Sequence, residues 1–141
     1  MTTNSLQPTG DQVRAFRDRA TGEPVQMLNL LKFRAIASYA DGRETSLTGE
    51  EAYSLYGKAF EEIMGPRGAR VIYAGAVRGF LIGEGEGSWD AAMLVEYPST
   101  QVMLDMWRIP AYQEAQKHRE AGLEGQLLLE CGPGFSFSPP V

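Results

Sequence analysis

Along the chain, apolar residues recur at helical spacing in some stretches and at strand spacing in others. Thr9 and Gln12 stand at the spacing of a capping box, where side chain and backbone satisfy each other's free groups. Val13, Phe16 and Ala20 follow at helical intervals, and Gly22 and Pro24 stop that helix. Val25 to Phe33 reads as a strand buried on both faces, because Met27, Leu28, Leu30, Leu31 and Phe33 leave little alternation. Asn29 interrupts that apolar run. Residues 34–47 are polar and read as a long loop, of a length that is often functional or mobile. Thr48 and Glu51 form a second capping box ahead of the clearest helix in the chain. Its inner side is Ala52, Leu55, Tyr56, Ala59, Phe60, Ile63 and Met64, and Gly65-Pro66 ends it.

Arg70 to Gly83 reads as a strand whose glycines, Gly75, Gly79 and Gly83, suggest a bulge, a bend or a close backbone approach. A Glu84–Gly87 turn joins it to a second strand, Trp89 to Tyr97, so the pair is a hairpin. Ser99 is placed as the N-cap of a helix carrying Val102, Met103, Met106 and Trp107. Pro110 opens a further helix, with Ala111, Tyr112, Ala115, His118 and Arg119 towards one side and Gly122 at its end. A last strand, Gln126 to Cys131, precedes a Gly/Pro/Ser tail. The order is a helix followed by β-α-β-β-α-β, which predicts an α+β, ferredoxin-like protomer with an extra N-terminal helix. We therefore expect a flexible arm over 1–9, one domain over 10–135 and a tail over 136–141. Such a sheet carries helices on one face only. Covering the other face calls for a second copy, hence a homodimer.

The 141 residues suffice for one well-buried core, and 43% apolar with 22% charged is ordinary globular usage, which argues against disorder. The net charge of −5 disfavours nucleic acid as a partner, since phosphate binding needs clustered Lys and Arg. With one cysteine, Cys131, and one histidine, His118, the chain can build neither an internal disulfide nor a Cys/His zinc site. No metal or bound cofactor is expected. No stretch reaches the roughly 20 apolar residues of a membrane span. The polar start lacks the basic and apolar regions of a signal peptide, so a cytoplasmic location is expected.

Gly83-Glu84-Gly85-Glu86-Gly87 looks like a phosphate loop only on the surface. It runs from strand to strand, and its glutamates would repel phosphate. A hydrolytic triad would have to use His118, and no Gly-x-Ser-x-Gly elbow is present. What remains is a polar set that could line one cavity: Asn29, Tyr56, Trp89 and Glu96 as ligand-binding residues, with His118 and Arg119 as catalytic candidates. Asn29 and Glu96 are polar within apolar strands and need partners if buried. His118 is the side chain suited to proton exchange near neutral pH, and Arg119 is a fixed cation for a carboxylate or an enolate. Adjacent on a helix, they point about 100° apart. These residues suit a cofactor-independent enzyme acting on a small apolar or aromatic molecule, or a dimer that binds such a ligand without turnover.

Several motifs occur in a fixed order: Asn29-Leu30-Leu31-Lys32-Phe33-Arg34, then Tyr39, Gly42, Ser46, Glu51-Ala52-Tyr53 and Tyr56, then Trp89-Asp90. Leu94-Val95-Glu96-Tyr97-Pro98-Ser99, Pro110, Tyr112, His118-Arg119 and Ala121-Gly122-Leu123 complete the series. Over roughly residues 25–130 this resembles the longer members of the domain-of-unknown-function 1330 family, within the dimeric α/β-barrel superfamily. The resemblance implies a ferredoxin-like protomer that forms a dimeric α/β barrel. It implies no reaction and no catalytic residues, since a widely shared fold does not define function. Ala111 departs from the acidic residue expected after Pro110, which weakens any carboxylate role there.

Overall fold

The computed structural model describes residues 5–85 and 89–132. Its elements come in the expected order: α1 (Gly10–Asp18), β1 (Val25–Phe33), α2 (Gly49–Met64), β2 (Arg70–Ala76), β3 (Ala91–Tyr97), α3 (Thr100–Met106), α4 (Pro110–Gly122) and β4 (Leu123–Cys131). Both capping boxes form, Thr9 with Gln12 and Thr48 with Glu51. The Ser99 hydroxyl accepts from the Val102 N–H to start α3, and Pro110 opens α4. The expected 136–141 tail, residues 1–4 of the arm and residues 86–88 of the hairpin turn lie outside the described residues.

The strands form one antiparallel sheet in the order β2-β3-β1-β4. This is the ferredoxin-like α+β arrangement with α1 added. Val25, Met27, Asn29 and Leu31 of β1 are buried beneath the helices. They pack with Tyr56, Phe60 and Met64 of α2, Met103 and Met106 of α3, and Tyr112 of α4. The alternate residues Gln26, Leu28, Leu30 and Lys32 are only half-buried. The expectation of a strand buried on both faces is thus met on one face of the protomer. The helices cover one side, and among the described residues no helix lies over the second apolar row.

The hairpin is shorter than its apolar pattern suggests. β2 stops at Ala76 instead of Gly83, and β3 starts at Ala91. Gly79 and Gly83 adopt positive φ, which interrupts extended pairing. Phe80, Leu81 and Ile82 project into solvent beyond it, Leu81 being 98% exposed. β4 starts at Leu123, ahead of the expected Gln126, because α4 runs straight into it.

The 34–47 loop has no regular structure but is fastened down. Ala37 N–H donates to Leu47 C=O and Ser38 N–H to Ala121 C=O. Ala37 and Tyr39 are buried against Ala52 and Ala121, joining the loop to α2 and α4. Where α2 begins and α4 ends, Gly49 and Gly122 meet backbone to backbone. A Cβ on either would run into the other's carbonyl oxygen.

Candidate functional site

Tyr112, Gln116 and Arg119 follow at i, i+4 and i+7 on one side of α4 and face a space above the sheet. A cavity of about 710 Å³ lies there, between the β1–β4 side of the sheet and the helices, with residues 5–8 of the arm and α1 at its edge. Its walls are apolar and aromatic, including Phe16, Met27, Met103, Met106, Trp107 and Tyr112.

A connected polar network crosses the cavity floor. Arg119 Nη1 donates to Gln126 Oε1 at 2.8 Å, and Gln126 Nε2 donates to Asn29 Oδ1 at 2.8 Å. Asn29 Nδ2 reaches the Met27 and Met93 carbonyls, each at 3.3 Å. At the other end, Arg119 Nη2 donates to the Leu6 carbonyl at 2.8 Å. Asn29 and Arg119 are 7% and 8% exposed, so these bonds supply the partners that burial demands. The Tyr56 and Tyr112 hydroxyls lie 2.9 Å apart in the same cavity. Burial pushes both phenols above their ordinary range, so each keeps its proton at neutral pH and serves as a donor.

Of the residues proposed to share a cavity, Asn29, Tyr56 and Arg119 do so. The other three lie elsewhere, which corrects the expectation of a single site. His118, one residue before Arg119, is turned by the helical step out of the cavity and towards the 34–47 loop. Trp89 is half-buried ahead of β3 and does not line this cavity. Glu96 sits on the uncovered face of the sheet, pairing with Arg70 at 3.0 Å and accepting from Gln26 at 3.0 Å. Those two bonds, Gln26's first, lower its carboxyl below the usual range. Ala111 is exposed and leaves no space of its own.

Sequence reasoning missed Gln126, the hinge of the network. The signal was present, since Gln126 heads the apolar run Leu127-Leu128-Leu129 much as Asn29 interrupts β1. It also missed the arm, whose Leu6 carbonyl meets Arg119 and whose Ser5 forms a bridge to Gln126. A second, more open cleft of about 730 Å³ lies where α2 begins over β2 and β3. Arg34 lines it, and its Nε is buried without a hydrogen-bond partner among the described residues. Asp90 and Glu50 line that cleft too.

Among the described residues there is no group of three or more His, Cys, Asp and Glu able to hold a metal ion. No helix among them is long and apolar enough to cross a membrane.

Fold and cavity together define a ferredoxin-like α+β domain with a space of about 710 Å³ between its sheet and its helices. The chain belongs to the domain of unknown function family DUF1330, whose profile matches residues 39–132. RPA0582, a protein of unknown function from Rhodopseudomonas palustris, is 34% identical with a TM-score of 0.84, over 95% of this chain and 100% of that one. A dimeric protein of unknown function and ferredoxin-like fold from Bacteroides fragilis is 15% identical, with a TM-score of 0.50 over 79% of this chain and 97% of its own. A hydroxynitrile lyase from Passiflora edulis is 12% identical, with a TM-score of 0.57 over 84% of this chain and 100% of its own. These last two share the fold. No curated protein matches the sequence.

Proposed function

We propose that the protein is a homodimer that binds a small, largely apolar or aromatic molecule in the cavity between its sheet and its helices. The observation that carries this reading is an aromatic-walled space of about 710 Å³ meeting the oriented Arg119–Gln126–Asn29 network. Sites for small molecules have this size and this make-up, apolar walls with a few fixed polar groups. Asn29 spends both of its donors on backbone carbonyls and acts by holding Gln126. Arg119 and the Tyr56–Tyr112 pair have donors to spare for a ligand. Binding fits better than turnover, because the titratable side chains inside are protonated tyrosines, an ion-paired Glu130 and two arginines, with no free base among the described residues.

The homodimer rests on the uncovered face of the sheet. Leu28 stands between Leu94 and Leu129, with Leu30 and Leu127 beside them, and Tyr73 extends the row at 59% exposure. A second copy packed on this face would remove this contiguous apolar row from water.

A chemical-shift titration of the full chain with neutral aromatic fragments tests the binding reading. Shifts confined to cavity residues such as Phe16, Trp107 and Leu128 are expected. Leu128→Trp, which turns a part-exposed lining side chain into a plug, should abolish them while the spectrum stays folded. Absence of cavity shifts, or shifts unaffected by the plug, would sink the reading.

A further inference from the structure

Arg19, Arg119 and Glu130 are the charged side chains that line the cavity among the described residues. Arg19 Nε donates to Glu130 Oε1 at 2.7 Å, so these two neutralise each other at the rim. Arg119 is different. It is 8% exposed, and no Asp or Glu among the described residues makes an ion pair with it. Its two hydrogen bonds go to neutral oxygens, of Gln126 and of the Leu6 backbone. A guanidinium has five N–H donors, so most of its fork is unspent. Buried charges are ordinarily paired, because desolvating a lone ion is costly. The lining therefore carries one positive charge that no acidic side chain among the described residues balances, held in place by its bonds to Gln126 and the Leu6 carbonyl.

We propose that the ligand is a monoanionic carboxylate with an aromatic or apolar body, its carboxylate seated on Arg119; this deepens the small-molecule reading of the same cavity and rests on it. Arginine suits a carboxylate because two parallel N–H bonds match its two oxygens. A phosphate ester suits the site less well. Its charge at neutral pH is about −1.5 to −2, and the cavity has a single unbalanced cation to meet it. The Tyr56–Tyr112 pair adds to the fit. In a pair of hydroxyls one proton is used between them, leaving the other free to donate to a ligand oxygen. Phe16, Trp107 and the methionines Met103 and Met106 then enclose the body of the ligand.

Calorimetric titration of the full chain with benzoate, benzamide and phenyl phosphate tests the assignment. Benzoate should bind at least about tenfold more tightly than either of the others, the preference a charge-assisted bond supplies over a neutral one. Arg119→Met should weaken benzoate far more than benzamide and so erase the preference between them, while Arg119→Lys keeps part of it. The wild-type ranking decides by itself if Arg119→Met does not fold. Benzamide binding as tightly as benzoate would overturn the carboxylate while leaving the small-molecule reading intact. Phenyl phosphate binding more tightly than benzoate would overturn the monoanion. Failure of all three probes to bind would overturn the proposal together with the reading beneath it.

Discussion

The Tyr39 hydroxyl lies 2.6 Å from His118 Nδ1, with the two rings at 90°, and this contact ties the 34–47 loop to the outer side of α4. Arg43 stacks on the Tyr39 ring at 4.5 Å. Partial burial first, and then the positive charge of Arg43, hold the His118 imidazole below its ordinary value near 6.5, with Glu114 pulling the other way. Which of the two atoms donates in the Tyr39–His118 contact depends on the imidazole tautomer, and burial with the Arg43 charge makes the folded state favour the uncharged ring.

A pH dependence of stability follows. Unfolded, His118 titrates near 6.5, and folded it titrates lower. Between those values the unfolded chain binds more protons, so stability present above 6.5 is lost as the pH falls through that window. Denaturant midpoints at about pH 7.5 and about pH 5.5 should therefore separate more in the wild type than in His118→Gln. Equal separation in both would show that the clasp does not titrate with His118.

Much of this architecture was legible because the strongest local signals were unopposed. Thr9–Gln12, Thr48–Glu51, Ser99 and Pro110 each mark a helix start by chemistry that needs no tertiary partner. The hairpin misled because Phe80, Leu81 and Ile82 are as apolar as any strand, and their backbone is turned out by glycines on either side. The site was half legible. Asn29 gave itself away as a polar group in an apolar strand, while Glu96, read the same way, sits on the opposite face with Gln26 and Arg70. The helical step from Arg119 turns His118 away from the cavity, but what it meets there depends on where the loop settles, which is set by Ala37 and Tyr39 packing on α2 and α4, over a distance no local pattern encodes.

Leu31 and Phe60 should rank far above Glu61 in a stability series. Leu31 is 2% exposed on the covered face of β1, and Phe60 is 7% exposed on the inner side of α2. Leu31→Ala or Phe60→Ala should cost about 2–5 kcal/mol, from lost burial and the cavity left behind. Glu61 is exposed, and Glu61→Ala should stay within about 0.5 kcal/mol. Chemical denaturation that ranks the three alike would mean the faces are misassigned.

The bare sheet face should set the oligomeric state. Light scattering at micromolar concentration is expected to give the mass of two chains. Leu94 sits opposite Leu28 on one side and Tyr73 on the other, near the middle of that face. Leu94→Lys would bury an unpaired ammonium in the interface, and should yield monomers with retained helix and strand signal. A wild-type protein that scatters as a single chain contradicts the homodimer outright.

Gln126 should matter more than its half-buried surface suggests. Its amide is the only bonded link between Arg119 and Asn29 among the described residues, accepting from one and donating to the other. Gln126→Ala strips the donor from Asn29 Oδ1 and the acceptor from Arg119 Nη1, on side chains 7% and 8% exposed. Leaving buried polar groups unpaired costs about 1–3 kcal/mol, whereas an exposed change such as Lys58→Ala should stay within about 0.5 kcal/mol. The cost should also be shared with Asn29. Once Asn29→Ala has removed the acceptor, Gln126→Ala has less left to break, so the double variant should fall short of the sum by about 0.5–3 kcal/mol. Strict additivity in that double-mutant cycle would mean that the two amides sit side by side without holding each other, and that Arg119 takes its orientation from the arm instead.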